Sequence, residues 1–121
     1  MSGRVAPLPL PKPQRILRSS EFREIYQSGV RMTSRYFAAF CLCCPSAPAP
    51  ARFGFTTPRA LGKAVQRNRI RRRLREAVRT QLETAPANWA IVFNPRRTVL
   101  AAPFEDLRRE VGRIFARCKE S

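Results

Sequence analysis

Between Arg59 and Arg79 the chain carries nine Lys or Arg and a single acid, Glu76, a local charge of +8 in 21 residues and half of the +16 of all 121. Such a segment cannot be fully buried, because unpaired charges would have to be desolvated at large cost. Yet Ile70, Leu74, Ala77, Val78 and Leu82 recur within it so that they can dock on a core. A helix that lays one apolar seam on a core and turns arginine to solvent satisfies both demands. The spacing predicts a helix from Val65 to Glu83, with Ile70, Leu74 and Ala77 facing inward. On that helix Arg72, Arg75 and Arg79 fall on or near the opposite face, Arg69 and Arg71 flank the seam, and Arg73 lies closest to it. The natural partner of such a face is a polyanion. The charge is too one-sided for a merely solvated surface.

The rest of the composition narrows the function further. A chain of 121 residues with 44% hydrophobic residues has enough for one domain with one core. No run approaches the roughly 20 apolar residues of a transmembrane helix. The first residues, charged only at Arg4 and Lys12 and broken by Pro7, Pro9, Pro11 and Pro13, lack the apolar stretch of a signal peptide. They read as a disordered tail over 1–14, ahead of a domain over 15–121, in a cytoplasmic protein. Histidine is absent, which removes the commonest general acid/base and metal ligand. Of the eight acids, Glu21 with Glu24 and Glu105 with Asp106 sit at helix starts, where the dipole favours them. No catalytic residue is expected on this chain. Cys41, Cys43 and Cys44 crowd one strand and Cys118 lies far away, so they do not form the two short-spaced pairs of a zinc site. They read as small buried hydrophobes, and no metal site is expected.

Along the chain, Ser19 and Ser20 can cap a short amphipathic helix over 19–28 carrying Phe22, Ile25 and Tyr26, closed by Gly29. Residues 35–43 read as a strand, with Tyr36, Ala38, Phe40 and Leu42 on one face and Phe37, Ala39, Cys41 and Cys43 on the other. Both faces are apolar, so it is covered on each side or lines a groove. Residues 52–57 form a second strand with Phe53 and Phe55 pointing the same way. The run Trp89-Ala90-Ile91-Val92-Phe93 reads as a central strand. Pro103 opens a last helix whose core face is Phe104, Leu107, Val111, Ile114, Phe115 and Cys118. The order is that of an α+β sandwich around a small sheet.

Two stretches of the chain resemble a known family. Arg52-Phe53-Gly54-Phe55, through Gly62-Lys63-Ala64-Val65-Gln66-Arg67-Asn68-Arg69-Ile70-Arg71-Arg72 to Arg75-Glu76, is similar to the signature of the bacterial ribonuclease P protein subunit, with Arg67-Asn68-Arg69 as its hallmark. Arg15 through Phe22, Tyr26 and Gly29, then Arg35 to Phe40, resembles that family's opening helix and first strand. The resemblance spans about 15–117. It implies an α-β-β-β-α-β-α domain with a left-handed crossover carrying the basic helix, where the general rule would give a right-handed one. It also implies a protein that binds the catalytic RNA of ribonuclease P and promotes removal of the 5′ leader from precursor tRNA, with the chemistry in the RNA and Mg2+ needed by the holoenzyme. Carried over residue by residue, Lys63, Arg67, Asn68, Arg69, Arg71, Arg72 and Arg75 match the RNA-binding motif. Phe22, Tyr26 and Phe40 match the leader-binding cleft. Where the family has a serine and two lysines before the Gly62 position, this chain has Pro58, Arg59 and Ala60, so one cation is lost and a rigid proline gained.

Physical chemistry agrees with both assignments: arginine forks grip phosphate bidentately and aromatic faces stack bases. The competing reading is a non-enzymatic RNA chaperone or ribosome-associated protein, which would use the same arginines but has no need of an aromatic groove. Neither DNA nor a membrane is expected as a partner. A membrane-surface helix is disfavoured because the apolar seam lacks large aromatics and has neighbours to dock on.

Overall fold

Strand alternation decides the layering of this protein. The structure, a computed structural model, describes residues 19–43 and 50–120. Its elements run α1 (Ser19–Ser28), β1 (Val30–Thr33), β2 (Phe37–Cys43), β3 (Arg52–Phe55), α2 (Ala64–Arg79), β4 (Trp89–Pro95) and α3 (Phe104–Glu120), with short 3-10 turns at Arg59–Leu61, Leu82–Thr84 and Arg97–Leu100. This is the α-β-β-β-α-β-α order that the resemblance implied. The four strands form one sheet in the order β1-β2-β4-β3. β1 with β2 and β2 with β4 are antiparallel, whereas β3 and β4 are parallel neighbours joined through α2. The parallel pair therefore makes the connection that carries the basic helix.

On one face of the sheet Phe37, Ala39 and Cys41 of β2, Ile91 and Phe93 of β4 and Phe53 of β3 pack with α2 and α3 in the main core. The residues between them point the other way. Val92 and Ala90 join Ile25 of α1 in a smaller cluster, with Phe22, Phe40 and Leu42 at its margin. Three layers result: α1, the sheet, then α2 with α3. β4 lies in the middle, and its run from Ala90 to Phe93 is buried, as a strand covered on both faces requires.

Both long helices dock as their apolar spacing demanded. α2 buries Ile70, Leu74, Ala77 and Val78, and α3 buries Leu107, Val111, Ile114, Phe115 and Cys118. Gly29 is dictated by close approach: a Cβ there would sit 2.5 Å from the Ile25 carbonyl oxygen and 2.9 Å from that of Cys41. Its N–H donates to Ile25 O at 2.8 Å, closing α1.

Five expectations need correction, the first being that the strand expected over 52–57 ends at Phe55. β1 was not separated from its neighbours by periodicity, because this edge strand is short and exposed at Val30, Arg31 and Thr33. The strand expected to start at 35 starts at Phe37, since Ser34 and Arg35 make the turn between β1 and β2, where Ser34 N–H donates to Phe37 O at 2.8 Å. The basic helix ends at Arg79 rather than continuing to Glu83, and Leu82–Thr84 forms a separate 3-10 turn. Cys43 is exposed at the end of β2, whereas Cys41 and Cys118 are buried as expected. The Cys41 thiol donates to the Cys118 sulfur, which pushes Cys41 up and Cys118 down, with burial raising both. Cys44 and the proline-rich tail over 1–14 lie outside the described residues.

Candidate nucleic-acid interface

The outer face of α2 is built by the local chemistry of its N-terminus. Gly62 takes φ 131°, a conformation open to glycine, and so turns the chain into the helix. The Lys63 N–H donates to Gln66 Oε1 at 3.0 Å, and Arg67 Nε donates to Gly62 O at 3.1 Å. Arg97 Nη1 donates to Leu61 O at 2.6 Å and pins the same corner from the far loop. The departure at Pro58 is absorbed here: Pro58 is extended, with φ −67° and ψ 160°, and precedes the Arg59–Leu61 turn. Arg59 and Lys63 are both exposed.

Beyond this corner Asn68, Arg69 and Arg72 are exposed, and Arg67 and Arg71 are half-buried. Among the described residues none of Arg67, Arg69, Arg71 and Arg72 is paired with a carboxylate. Arg73 turns inward as expected, with Nε donating to Val99 O at 3.1 Å and Nη2 to Ala102 O. Arg79 is bound twice by Glu76, at 2.9 and 2.6 Å, which holds its guanidinium above the ordinary arginine value. Arg75 departs from the helical-wheel expectation. It is half-buried, with its guanidinium carbon 5.9 Å from the centroid of the Phe55 ring, a cation–π distance. That ring in turn stacks on Phe93 at 5.5 Å and 12°.

On the opposite side of the sheet, α1 covers only part of the face. Phe22 and Phe40 are half-buried at the margin of its small cluster, and Tyr26 is 37% exposed. Tyr26 meets Phe40 edge-on, with centroids 4.8 Å apart and planes at 82°. The three residues therefore stand partly against the small cluster and partly at the surface. Register puts Arg31 of β1 opposite Phe40, and Asn94 of β4 opposite Ala38, on this same face. Arg31 is exposed and adds a cation beside the aromatics.

A polar path joins the two surfaces. The Tyr26 hydroxyl donates to Asn94 Oδ1 at 2.8 Å, and the Thr56 hydroxyl donates to the same oxygen at 2.8 Å. One residue further, Thr57 Oγ1 accepts from Arg71 Nη2 at 2.7 Å, while Arg71 Nη1 donates to Asn68 Oδ1 at 3.0 Å. The exit of β3 thus connects Tyr26 and its aromatic neighbours to the arginine face, although the two lie on different layers. Arg31, Thr56, Thr57 and Asn94 were missed by sequence reasoning. Polar residues at strand ends carry no periodic signal, and only pairing register shows what they border.

Five of the eight carboxylates pair with arginine: Glu21 with Arg52, Glu76 with Arg79, Glu105 with Arg108, Asp106 with Arg109 and Glu110 with Arg113. Among the described residues no three potential ligands converge as a metal ion would require. No described helix is long and apolar enough to cross a membrane.

The family model described as Ribonuclease P matches residues 10–119. The ribonuclease P protein component of Acidothermus cellulolyticus is 35% identical over 112 residues, covering 93% of each chain. That of Chloroflexus aggregans is 40% identical over 102 residues, covering 84% of this chain and 74% of its own. In fold, the RNase P protein from Thermotoga maritima superposes with a TM-score of 0.75 at 24% identity, covering 85% of this chain and 96% of that one. The Staphylococcus aureus RNase P protein gives 0.74 at 22%, covering 89% and 97%.

Proposed function

We propose that this chain, which belongs to the ribonuclease P protein family and is a protein component of that ribonucleoprotein, holds two RNAs at once. The arginine face of α2 takes the catalytic RNA through Lys63, Arg67, Asn68, Arg69, Arg71, Arg72 and Arg75. The groove of Phe22, Tyr26 and Phe40 takes the single-stranded 5′ leader of precursor tRNA. The observation that carries this reading is the path from Tyr26 through Asn94 and Thr56 to Thr57, Arg71 and Asn68. A strand leaving the groove along it passes directly to the arginines.

The roles differ in kind. Arg69 and Arg72 present unpaired forks to phosphate, each able to release condensed counterions on binding. Arg71 spends two of its five N–H donors on Thr57 and Asn68 and so positions the motif against the groove. Tyr26 and Phe40 offer ring surface for stacking, at about 1–3 kcal/mol per base. The Mg2+ of the holoenzyme finds no fitting site among these residues, which carry no carboxylate, and five of the chain's eight acids are held by arginine. No step of the role runs through a metal on this chain, and bond cleavage is assigned to the RNA. The reading places the chain in the cytoplasm with that RNA.

The test is cleavage of precursor tRNA by a bacterial ribonuclease P RNA at low magnesium, with and without the protein. Cleavage at the mature 5′ end that appears only with the protein supports the reading. Binding to both RNAs with no change in rate would instead identify a general RNA chaperone.

A further inference from the structure

We propose that Arg73 is a positioning residue for the arginine face. From α2 it fixes the Arg97–Leu100 turn, and that turn, through Arg97, holds the start of the helix where it meets the catalytic RNA. This rests on α2 being the surface that takes that RNA. The buried residues of α2 are Ile70, Leu74, Ala77 and Val78. The stretch from Ala64 to Arg69, which carries Arg67, Asn68 and Arg69, buries none of its side chains, and Val65 within it is 76% exposed. Ahead of it Leu61 packs on the core only in part. Packing of an apolar face is what normally holds a helix in place, so at this end polar contacts share that task.

Two of these contacts cross between the same elements in opposite directions. From α2, the half-buried Arg73 donates through Nε to Val99 O at 3.1 Å and through Nη2 to Ala102 O. From the turn, Arg97 Nη1 donates to Leu61 O at 2.6 Å. It lies so close to the corner that a Cβ at Gly62 would stand 2.7 Å from that nitrogen. The turn itself is firmly seated. Val99 is fully buried, the Arg96 N–H donates to Tyr36 O at 2.8 Å, and the Thr98 hydroxyl donates to Arg35 O at 3.2 Å. Carbonyls at the end of a helical turn lack a following turn to donate to them, and the planar guanidinium fork can serve two at once. Turning Arg73 out to phosphate would strand both carbonyls. Its charge therefore belongs to the helix but not to the RNA-binding face.

The test is Arg73→Met, which keeps an unbranched apolar stem and removes the donors. It is measured in binding to a bacterial ribonuclease P RNA and in amide hydrogen exchange of the free protein. Binding should weaken about fivefold, the effect of one ordinary hydrogen bond. The log–log salt slope should stay at the wild-type value, because no phosphate contact is lost. In the free protein the amides of Leu61, Gly62 and Arg67 should exchange faster, while those of Leu74, Ala77 and Val78 keep their protection. A slope flatter by about 0.7–0.9 would make Arg73 a phosphate ligand. Unchanged affinity, or equal loss of protection along all of α2, would reduce it to a part of the general stability of the fold. Any of these results overturns the proposal. If circular dichroism shows that Arg73→Met does not fold, Arg97→Met carries the test from the other side of the clamp. It should speed exchange at the same three amides, and unchanged exchange there would overturn the proposal. The reading underneath fails separately. If α2 does not take the catalytic RNA, Arg67→Ala with Arg69→Ala leaves affinity and slope at wild-type values. If α2 takes it without the clamp, that pair weakens binding while Arg73→Met changes neither affinity nor local exchange.

Discussion

α2 and α3 are both arginine-rich helices packed side by side on the same face of the sheet, yet their charge is compensated to very different degrees. α2 carries seven arginines and one acid, Glu76. α3 carries four arginines and one lysine against four acids. In α3 the acids stand three residues before arginines: Glu105 holds Arg108, Asp106 holds Arg109 and Glu110 holds Arg113, at 2.8 to 3.1 Å. Exposed pairs of this kind add little stability, but they cancel the field a polyanion would feel. In α2 the same device is used once, on Arg79, at the end remote from Arg67-Asn68-Arg69. The two helices therefore differ less in arginine content than in how much of it is left without an acid one turn away.

The largest effect should come where the two helices are alike. Leu74→Ala and Ile114→Ala each truncate a fully buried side chain of the shared core, and each should cost about 2–5 kcal/mol in denaturant unfolding. If one cost far less than the other, the two helices would not be equal partners in that core. The Phe22→Ala, Phe40→Ala double variant should come next. It should abolish the preference for leader-bearing substrate in competition binding while leaving affinity for the catalytic RNA near that of the wild type. Equal weakening toward every RNA would merge groove and arginine face into one nonspecific surface. A smaller effect is expected from Glu105→Gln with Glu110→Gln, which removes the acid partners of Arg108 and Arg113 and makes α3 resemble α2. Binding to unrelated RNA should rise, with a log–log salt slope steeper by up to about 0.9 for each new phosphate contact. An unchanged slope would mean that the position of α3, and not its pairing, keeps it from RNA.

Much of this division could be read from residues alone. The docking seam of α2, the inward turn of Arg73 and the core face of α3 followed from spacing, because burial repeats with the helical period. The central place of β4 followed from its unbroken apolar run. β1 did not, since a four-residue edge strand with three exposed residues has little alternation to detect. Arg75 was misplaced because a helical wheel knows nothing of Phe55, which reaches it from another strand. Tyr26 and Phe40 were singled out through family resemblance, but Asn94 and Thr56 were not. Their meaning depends on a hydrogen-bonded meeting of α1, β3 and β4, residues as far as 68 apart in sequence.

The central claim is that unpaired arginine on α2, and not paired arginine on α3, carries the contact with the catalytic RNA. Its most direct test is the salt dependence of that binding for Arg67→Ala with Arg69→Ala, set beside Arg109→Ala with Arg113→Ala. Each pair removes the same formal charge. The α2 pair should flatten the log–log slope by about 0.7–0.9 for each lost phosphate contact, and the α3 pair should leave it near the wild-type value. Equal flattening by both pairs would contradict the account.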